Sequence, residues 1–317
     1  MTSDIRKQVV DMARTFLEHG LVVRTWGNFS GRIDDDHFVV TPSGKGYETM
    51  APEDLVLCTL DGVSCDGEHG RPSSEAPMHG AVYRRFPDIR YAAHTHQMYA
   101  SAMSLMEETP SVPLSPYAFP GSPELHRNVE AALERTKHGM VLLERHGAFV
   151  VGTSPQEVME RAMMLETVGQ MYWTMSVPSG MPRPREAIDR NTEEEQKLMD
   201  TLSIDRPFVV SCDVETLYWS DDPINAYLDD FAQICGIDVG ETLGDNNVFV
   251  DRAHGCAVCV SDDVHDAYNV RAVLEKNARA QSVGRYYDED PLPMEECRRL
   301  RAMYRDDYGR RLYEDDA

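Results

Sequence analysis

The sequence contains no long apolar run. None reaches the roughly 18 residues that a membrane-spanning helix requires. The opening residues, Met1-Thr2-Ser3-Asp4, lack the apolar stretch of a secretory signal. A cytoplasmic protein is the expectation. Lysine is scarce, with five residues among 31 basic ones. Set against 54 acidic residues, this gives a formal net charge of −23. A field of that sign repels phosphate backbones and anionic lipid, which argues against nucleic acid and membrane as partners. A small anionic substrate remains compatible if backbone N–H groups and a metal receive it locally. Cysteine has no pattern either. The seven residues are scattered and odd in number, so no disulfide framework is readable and reduced thiols are expected.

The chain does have length and core-forming residues. Its 317 residues, 42% of them hydrophobic, suit one and a half or two domains. Apolar spacing at Ile5, Val9, Met12, Phe16 and Leu17 predicts a helix over 4–19, stopped by Gly20. The stretch Trp26-Gly27-Asn28-Phe29-Ser30-Gly31 reads as a polar turn, followed by strands at 37–41 and 55–60. A helix follows Pro72-Ser73-Ser74-Glu75, and Ile89–Thr95 reads as a buried strand. Further on come a helix at 122–136, two strands over 140–151 around a turn at Arg145-His146-Gly147, and a long helix at 155–175. The Pro- and Arg-rich stretch that follows reads as a linker.

A partial internal repeat lies beyond the linker. The run from Val141 through His146-Gly147, with its following helix, aligns with the run from Val248 through His254-Gly255 and its following helix, given one inserted residue. Phe208–Cys212 resembles the strand before His94. The second copy lacks a His-x-His and a Ser-Ser-Glu, so His254 is expected to be non-catalytic. Cys256 and Cys259, three apart on a strand, point to opposite faces and read as buried thiols. The expected division is a metal-binding domain at 1–177, a linker at 178–199, a degenerate partial repeat at 200–290 and a helical tail at 291–317.

The chemistry concentrates in the first half. His94 and His96 share one face of a strand, so both imidazoles can reach one ion. His146, in a turn before Gly147, is a candidate third ligand, and three protein ligands leave an open position on zinc. Glu75 at a helix start can ligate or move protons; a plain helix cap is the other reading. Ser73 and Ser74 at that helix start could receive an anion. Asn28, Ser43 and Gly44 sit in turn sequences that could add N–H and hydroxyl groups. His79, one turn after Glu75, reads as structural.

Taken in order, Gly27-Asn28-Phe29-Ser30, Thr41-Pro42-Ser43-Gly44, Pro72-Ser73-Ser74-Glu75, His94-Thr95-His96 and His146-Gly147 resemble the class II aldolase/adducin family over about residues 5–176. The order of the five motifs carries the resemblance. It implies an α/β fold, a three-layer αβα sandwich around a mostly antiparallel sheet, here followed by the smaller C-terminal α/β half-repeat. It also implies a divalent metal on His94, His96 and His146, most often Zn2+, with Mn2+, Fe2+ or Co2+ as alternatives. Glu75 then corresponds to the acid/base carboxylate. Asn28, Ser43, Gly44, Ser73 and Ser74 correspond to the substrate-phosphate pocket.

The implied function is a metal-dependent lyase of the aldolase type acting on a small hydroxy-carbonyl substrate such as a sugar phosphate. Decarboxylation or epimerisation at the same site is the alternative. A non-catalytic adducin-like scaffold is the alternative of another class. The sugar-phosphate aldolases carry a catalytic tyrosine after the His-x-His strand, whereas Ser101–Ser115 contains none here, and Tyr117 does not take over that role. A homo-oligomer is implied as well.

Overall fold

The computed structural model describes residues 2–23, 25–65, 70–106, 111–178, 193–220 and 223–308. It divides into two compact units, Met1–Met171 and Tyr172–Arg310. In the first unit the helices are α1 (Thr2–Glu18), α2 (Ala76–Arg85), α3 (Met98–Met103), α4 (Pro123–Arg135) and α5 (Pro155–Ser176). The strands are β1 (Asn28–Arg32), β2 (His37–Val40), β3 (Val56–Thr59), β4 (Tyr91–Thr95), β5 (Leu114–Ser115), β6 (Met140–Leu143) and β7 (Gly147–Gly152). The division between units falls inside α5.

The seven strands form one sheet in the order β3-β2-β1-β4-β7-β6-β5. Every pairing is antiparallel except β5 with β6. The expected mixed α/β architecture around a mostly antiparallel sheet is therefore present. On one face, α2 and α4 set Met78, Val82, Leu125 and Val129 against Phe38, Ala92, Val141 and Phe149, all buried. Each such side chain contributes about 1.5–3 kcal/mol by leaving water. At α1, Phe16 meets Phe29 edge-on at 5.0 Å between ring centroids, and Phe29 meets Tyr47 at 5.3 Å.

One element departs from expectation. The polar turn predicted at 26–31 contains strand β1, wholly buried and paired with both β2 and β4. Phe29 faces α1, whereas Asn28, Ser30 and Arg32 alternate onto the opposite face. Burial of these polar groups is tolerable because each finds a partner on α2 or its flanks. Asn28 meets Glu75 and His79, Ser30 meets His79 and Tyr83, and Arg32 donates to the carbonyls of Tyr83, Phe86 and Ile89.

The second unit contains α6 (Glu193–Thr201), β8 (Phe208–Ser211), α7 (Val214–Trp219), β9 (Val248–Asp251), β10 (Cys256–Val260), α8 (Val264–Tyr286) and α9 (Met294–Met303). Of the linker expected at 178–199, residues 179–192 lie outside the described residues and 193–199 belong to α6. Within the stretch read as linker, Glu195 is buried against Arg271 at 2.9 Å. Of the expected tail, α9 and a π-type turn at Tyr304–Tyr308 are described, while residues 309–317 lie outside.

Strands β8-β10-β9 pair antiparallel in that order, as β4-β7-β6 do in the first unit. A six-residue helix follows the first strand in each set and a helix of at least 22 residues follows the last. The hairpin turns differ. Leu143 pairs with Gly147 across three residues, and Asp251 pairs with Cys256 across four. Helix α8 is buried along nearly its whole length despite its charges. Its buried cations are paired: Arg279 donates to both oxygens of Asp213 at 2.5 and 2.6 Å, Arg271 bridges Glu195 and Glu275, and Lys276 meets Asp230.

Candidate metal centre and active site

Strand β4 lies near the centre of the sheet between β1 and β7, and this fixes the site. Asn28 pairs with His94 across β1/β4, and Thr95 pairs with Ala148 across β4/β7. The turn before β7 therefore delivers His146 beside His94. That delivery needs Gly147: a Cβ there would lie 2.2 Å from the Thr95 carbonyl oxygen. Arg145 in the same turn has φ of 58° and donates its N–H to Ser104 Oγ at 3.0 Å.

The three imidazoles converge. His94 Nε2 lies 2.9 Å from His96 Nε2 and 3.0 Å from His146 Nε2. His94 Nδ1 is 3.0 Å from the Ala148 carbonyl, an acceptor only, so Nδ1 carries the proton and Nε2 presents a lone pair. One lone pair facing two ring nitrogens is a donor set for a cation. Tetrahedral ligands about 2.0–2.1 Å from zinc lie about 3.3 Å apart; the two distances from His94 Nε2 are near that value, and all three ligand atoms lie within 4.8 Å of one another. Among the described residues, this is the one group of three or more His, Cys, Asp or Glu with converging ligand atoms.

Glu75 completes the cluster. It precedes α2 as its N-cap residue, yet its carboxylate makes no cap hydrogen bond. It is buried, with Oε2 3.4 Å from His94 Nε2 and Oε1 3.4 Å from His146 Nε2. Burial alone would push this carboxyl up; the facing His94 and His146 and the Asn28 amide outweigh it and hold Glu75 well below the usual carboxylate range. Burial drives His94 well below the ordinary histidine value.

Residues 7–173, just over half of the chain, match the model of the class II aldolase and adducin N-terminal domain. The chain belongs to that family. A probable L-ribulose-5-phosphate 4-epimerase from Mycoplasma pneumoniae is 30% identical over 218 residues, 60% of this chain and 90% of that protein. A 3-oxo-tetronate 4-phosphate decarboxylase from Haemophilus influenzae is 29% identical over 194 residues, 55% of this chain and 90% of that protein. The solved structure of an L-fuculose 1-phosphate aldolase has a TM-score of 0.50 and 24% identity, covering 62% of this chain and 94% of that one. That likeness concerns the fold.

Within this class II aldolase domain, the residues expected in a phosphate pocket take different places. Ser43 and Ser73 lie on adjoining loops, joined by a Pro42–Pro72 bridge. Ser43 N–H donates to the Arg71 carbonyl and Ser73 N–H to the Thr41 carbonyl, so these two amides are already engaged. Gly44, with φ of 84°, faces open space, and Ser74 is exposed beside Gly121. Asn28 differs from the other four. Its Nδ2 donates to Glu75 Oε2 at 2.7 Å and its Oδ1 accepts from His79, so its amide is tied to the Glu75 carboxylate.

Sequence reasoning passed over Ser30 and Tyr83 and gave His79 no role at the site. The available signal was periodicity. Residues 28, 30 and 32 share one strand face, and 75, 79 and 83 lie one turn apart on the facing helix. In the second unit, His254 is exposed and bonded to Asp251 at 2.9 Å, away from any such cluster. Cys256 and Cys259 are buried free thiols, and burial pushes Cys256 up to about 12. No helix among the described residues is long and apolar enough to cross a membrane.

Proposed function

We propose that this chain is a metal-dependent enzyme that cleaves the bond between the α and β carbons of a small, phosphorylated hydroxy-carbonyl compound. One observation carries the reading: His96 Nε2, His146 Nε2 and the Glu75 carboxylate each lie within 3.4 Å of His94 Nε2. His94, His96 and His146 would hold a divalent ion, Zn2+ first among candidates and Mn2+, Fe2+ or Co2+ after it, which would supply Lewis-acid polarisation of a carbonyl and an adjacent hydroxyl. Glu75 takes the hydroxyl proton at Oε1 or Oε2 as the bond breaks and returns a proton to the carbon left electron-rich. Asn28 holds the carboxylate in place through this exchange. Ser43, Gly44, Ser73 and Ser74 receive the substrate's anionic end, with Gly44 and Ser74 open to it.

Decarboxylation stands beside retro-aldol cleavage because it leaves the same electron-rich carbon and needs no base to take a hydroxyl proton as an aldehyde departs. The missing tyrosine between Ser101 and Ser115 favours it, as does the similarity to the 3-oxo-tetronate 4-phosphate decarboxylase. Epimerisation, suggested by the ribulose-phosphate relative, would cleave and rejoin the bond at the same residues. The complete ligand set argues against a purely scaffolding role. A homo-oligomer is part of the proposal: Met163, Met164 and Met171 on α5 are 42, 50 and 63% exposed, an apolar face that a second copy would cover. The second unit reads as a partial copy of the fold, kept for packing.

The test is direct. The protein, loaded with Zn2+ or Mn2+, is incubated with L-ribulose 5-phosphate, L-fuculose 1-phosphate and 3-oxo-tetronate 4-phosphate. Carbon dioxide, a carbonyl pair or an isomer identifies the reaction. Absence of turnover on all three, in protein that holds metal, contradicts the substrate class.

A further inference from the structure

Behind the site runs a line of buried hydrogen bonds. Tyr83 Oη lies 2.8 Å from Ser30 Oγ, and Ser30 Oγ lies 2.5 Å from His79 Nδ1. His79 Nε2 lies 2.5 Å from Asn28 Oδ1, and Asn28 Nδ2 lies 2.7 Å from Glu75 Oε2. Five side chains from one strand and one helix are thus joined end to end, and His79 and Ser30 are fully buried.

The direction of every bond follows from its inner end. An ionised Glu75 can only accept, so the Asn28 amide must present its NH2 to it and its oxygen to His79. That oxygen can only accept, so His79 carries its proton on Nε2. Its Nδ1 is then a bare acceptor, filled by the Ser30 hydroxyl, whose oxygen in turn accepts from Tyr83. Burial holds His79 down at about 3 and pushes Tyr83 up, so both remain neutral and the pattern has no competing protonation state near neutral pH. The edge of the His79 ring rests on Phe149 with centroids 5.0 Å apart, which fixes its plane.

We propose that His79 is a positioning residue: as the Nε2–H tautomer it locks the Asn28 amide, which aims the Glu75 carboxylate at the substrate, with Ser30 and Tyr83 holding the tautomer from behind. A buried histidine placed only for packing would not require this tautomer. The role of Glu75 rests on the proposed function above; the tautomer does not.

Two measurements test it. Long-range 1H–15N NMR on histidine-labelled protein should show His79 neutral with its proton on Nε2 between pH 6 and 8. A proton on Nδ1, or a charged ring, overturns the assignment whatever the enzyme does. The second measurement is turnover with the substrate found in the assay above. Loss of an outer-shell partner costs about 10- to 100-fold. His79→Leu should lower kcat by that factor while KM and metal content stay within about twofold of wild type. His79→Gln, which keeps an N–H donor at the Nε2 position, should recover most of the loss. Wild-type kcat in His79→Leu, or no recovery in His79→Gln, overturns the positioning role. Failure of wild type itself to turn over would instead count against the proposed function and leave the NMR result to decide the hydrogen-bond assignment.

Discussion

Asn28 and Glu75, 47 residues apart in the chain, are joined by a 2.7 Å hydrogen bond from the Asn28 amide to the carboxylate. The bond ties the central sheet to the first turn of α2 at the place where the three histidines meet. Asn28→Ala removes the donor to Glu75 and the acceptor for His79 together. Two buried polar groups lose partners, at about 1–3 kcal/mol each. Urea melts should show that destabilisation, and kcat should fall about 10- to 100-fold. Unchanged stability would mean that the bond is dispensable.

Gly147 controls delivery of His146. A methyl group at this position meets the Thr95 carbonyl at 2.2 Å, and backbone cannot yield cheaply there. Gly147→Ala should cost about 1–3 kcal/mol by thermal or urea unfolding. It should also weaken metal binding, because strand separation at β4/β7 moves His146 from His94. A variant with wild-type stability and metal content would contradict this account of the turn.

The second unit depends on a buried ion pair. Arg279 holds both oxygens of Asp213, and Asp213→Asn leaves a guanidinium without its full counter-charge. The expected loss is about 3–5 kcal/mol. Burial raises the Asp213 carboxyl, but the Arg279 charge and the bonds from Arg279 and Thr216 outweigh it, so its folded pKa is depressed. The pair's stabilisation is then complete above the unfolded value of about 3.9 and is lost as pH falls through the folded one. Glu215 runs the other way. Burial raises its pKa, so acidification relieves a cost there. Asp213→Asn should therefore flatten the acid limb of a stability-versus-pH curve. An acid limb identical to wild type would assign that limb to other groups.

The exposed methionines of α5 give a test of assembly. Met164→Glu with Met171→Glu places two charges on the apolar face without touching the core. Light scattering after size exclusion should show a multimer in wild type and a smaller species in the variant. A wild-type monomer would remove the proposed self-association.

The five motifs and the periodic elements were legible in the sequence because they are local. The helix at Ile5–Leu17, the His94/His96 strand and the turn at His146 each follow from spacing within a few residues. What stayed hidden depends on distant partners. Asn28 and Ser30 read as a turn because polar residues in a short stretch normally stay solvated, and only Glu75, His79 and Tyr83 make their burial tolerable. Glu195 read as linker for the same reason, since its partner Arg271 lies 76 residues away. The engagement of the Ser43 and Ser73 amides by each other's loops was likewise invisible before the loops were seen side by side.

The central claim is that His94, His96 and His146 form a metal centre. Elemental analysis of untagged wild-type protein and of a His94→Ala/His96→Ala variant tests it most directly. The account predicts about one zinc or other transition-metal ion per chain in wild type and essentially none in the variant. Wild-type protein that holds no ion even after reconstitution, or a variant that keeps it, would contradict the account.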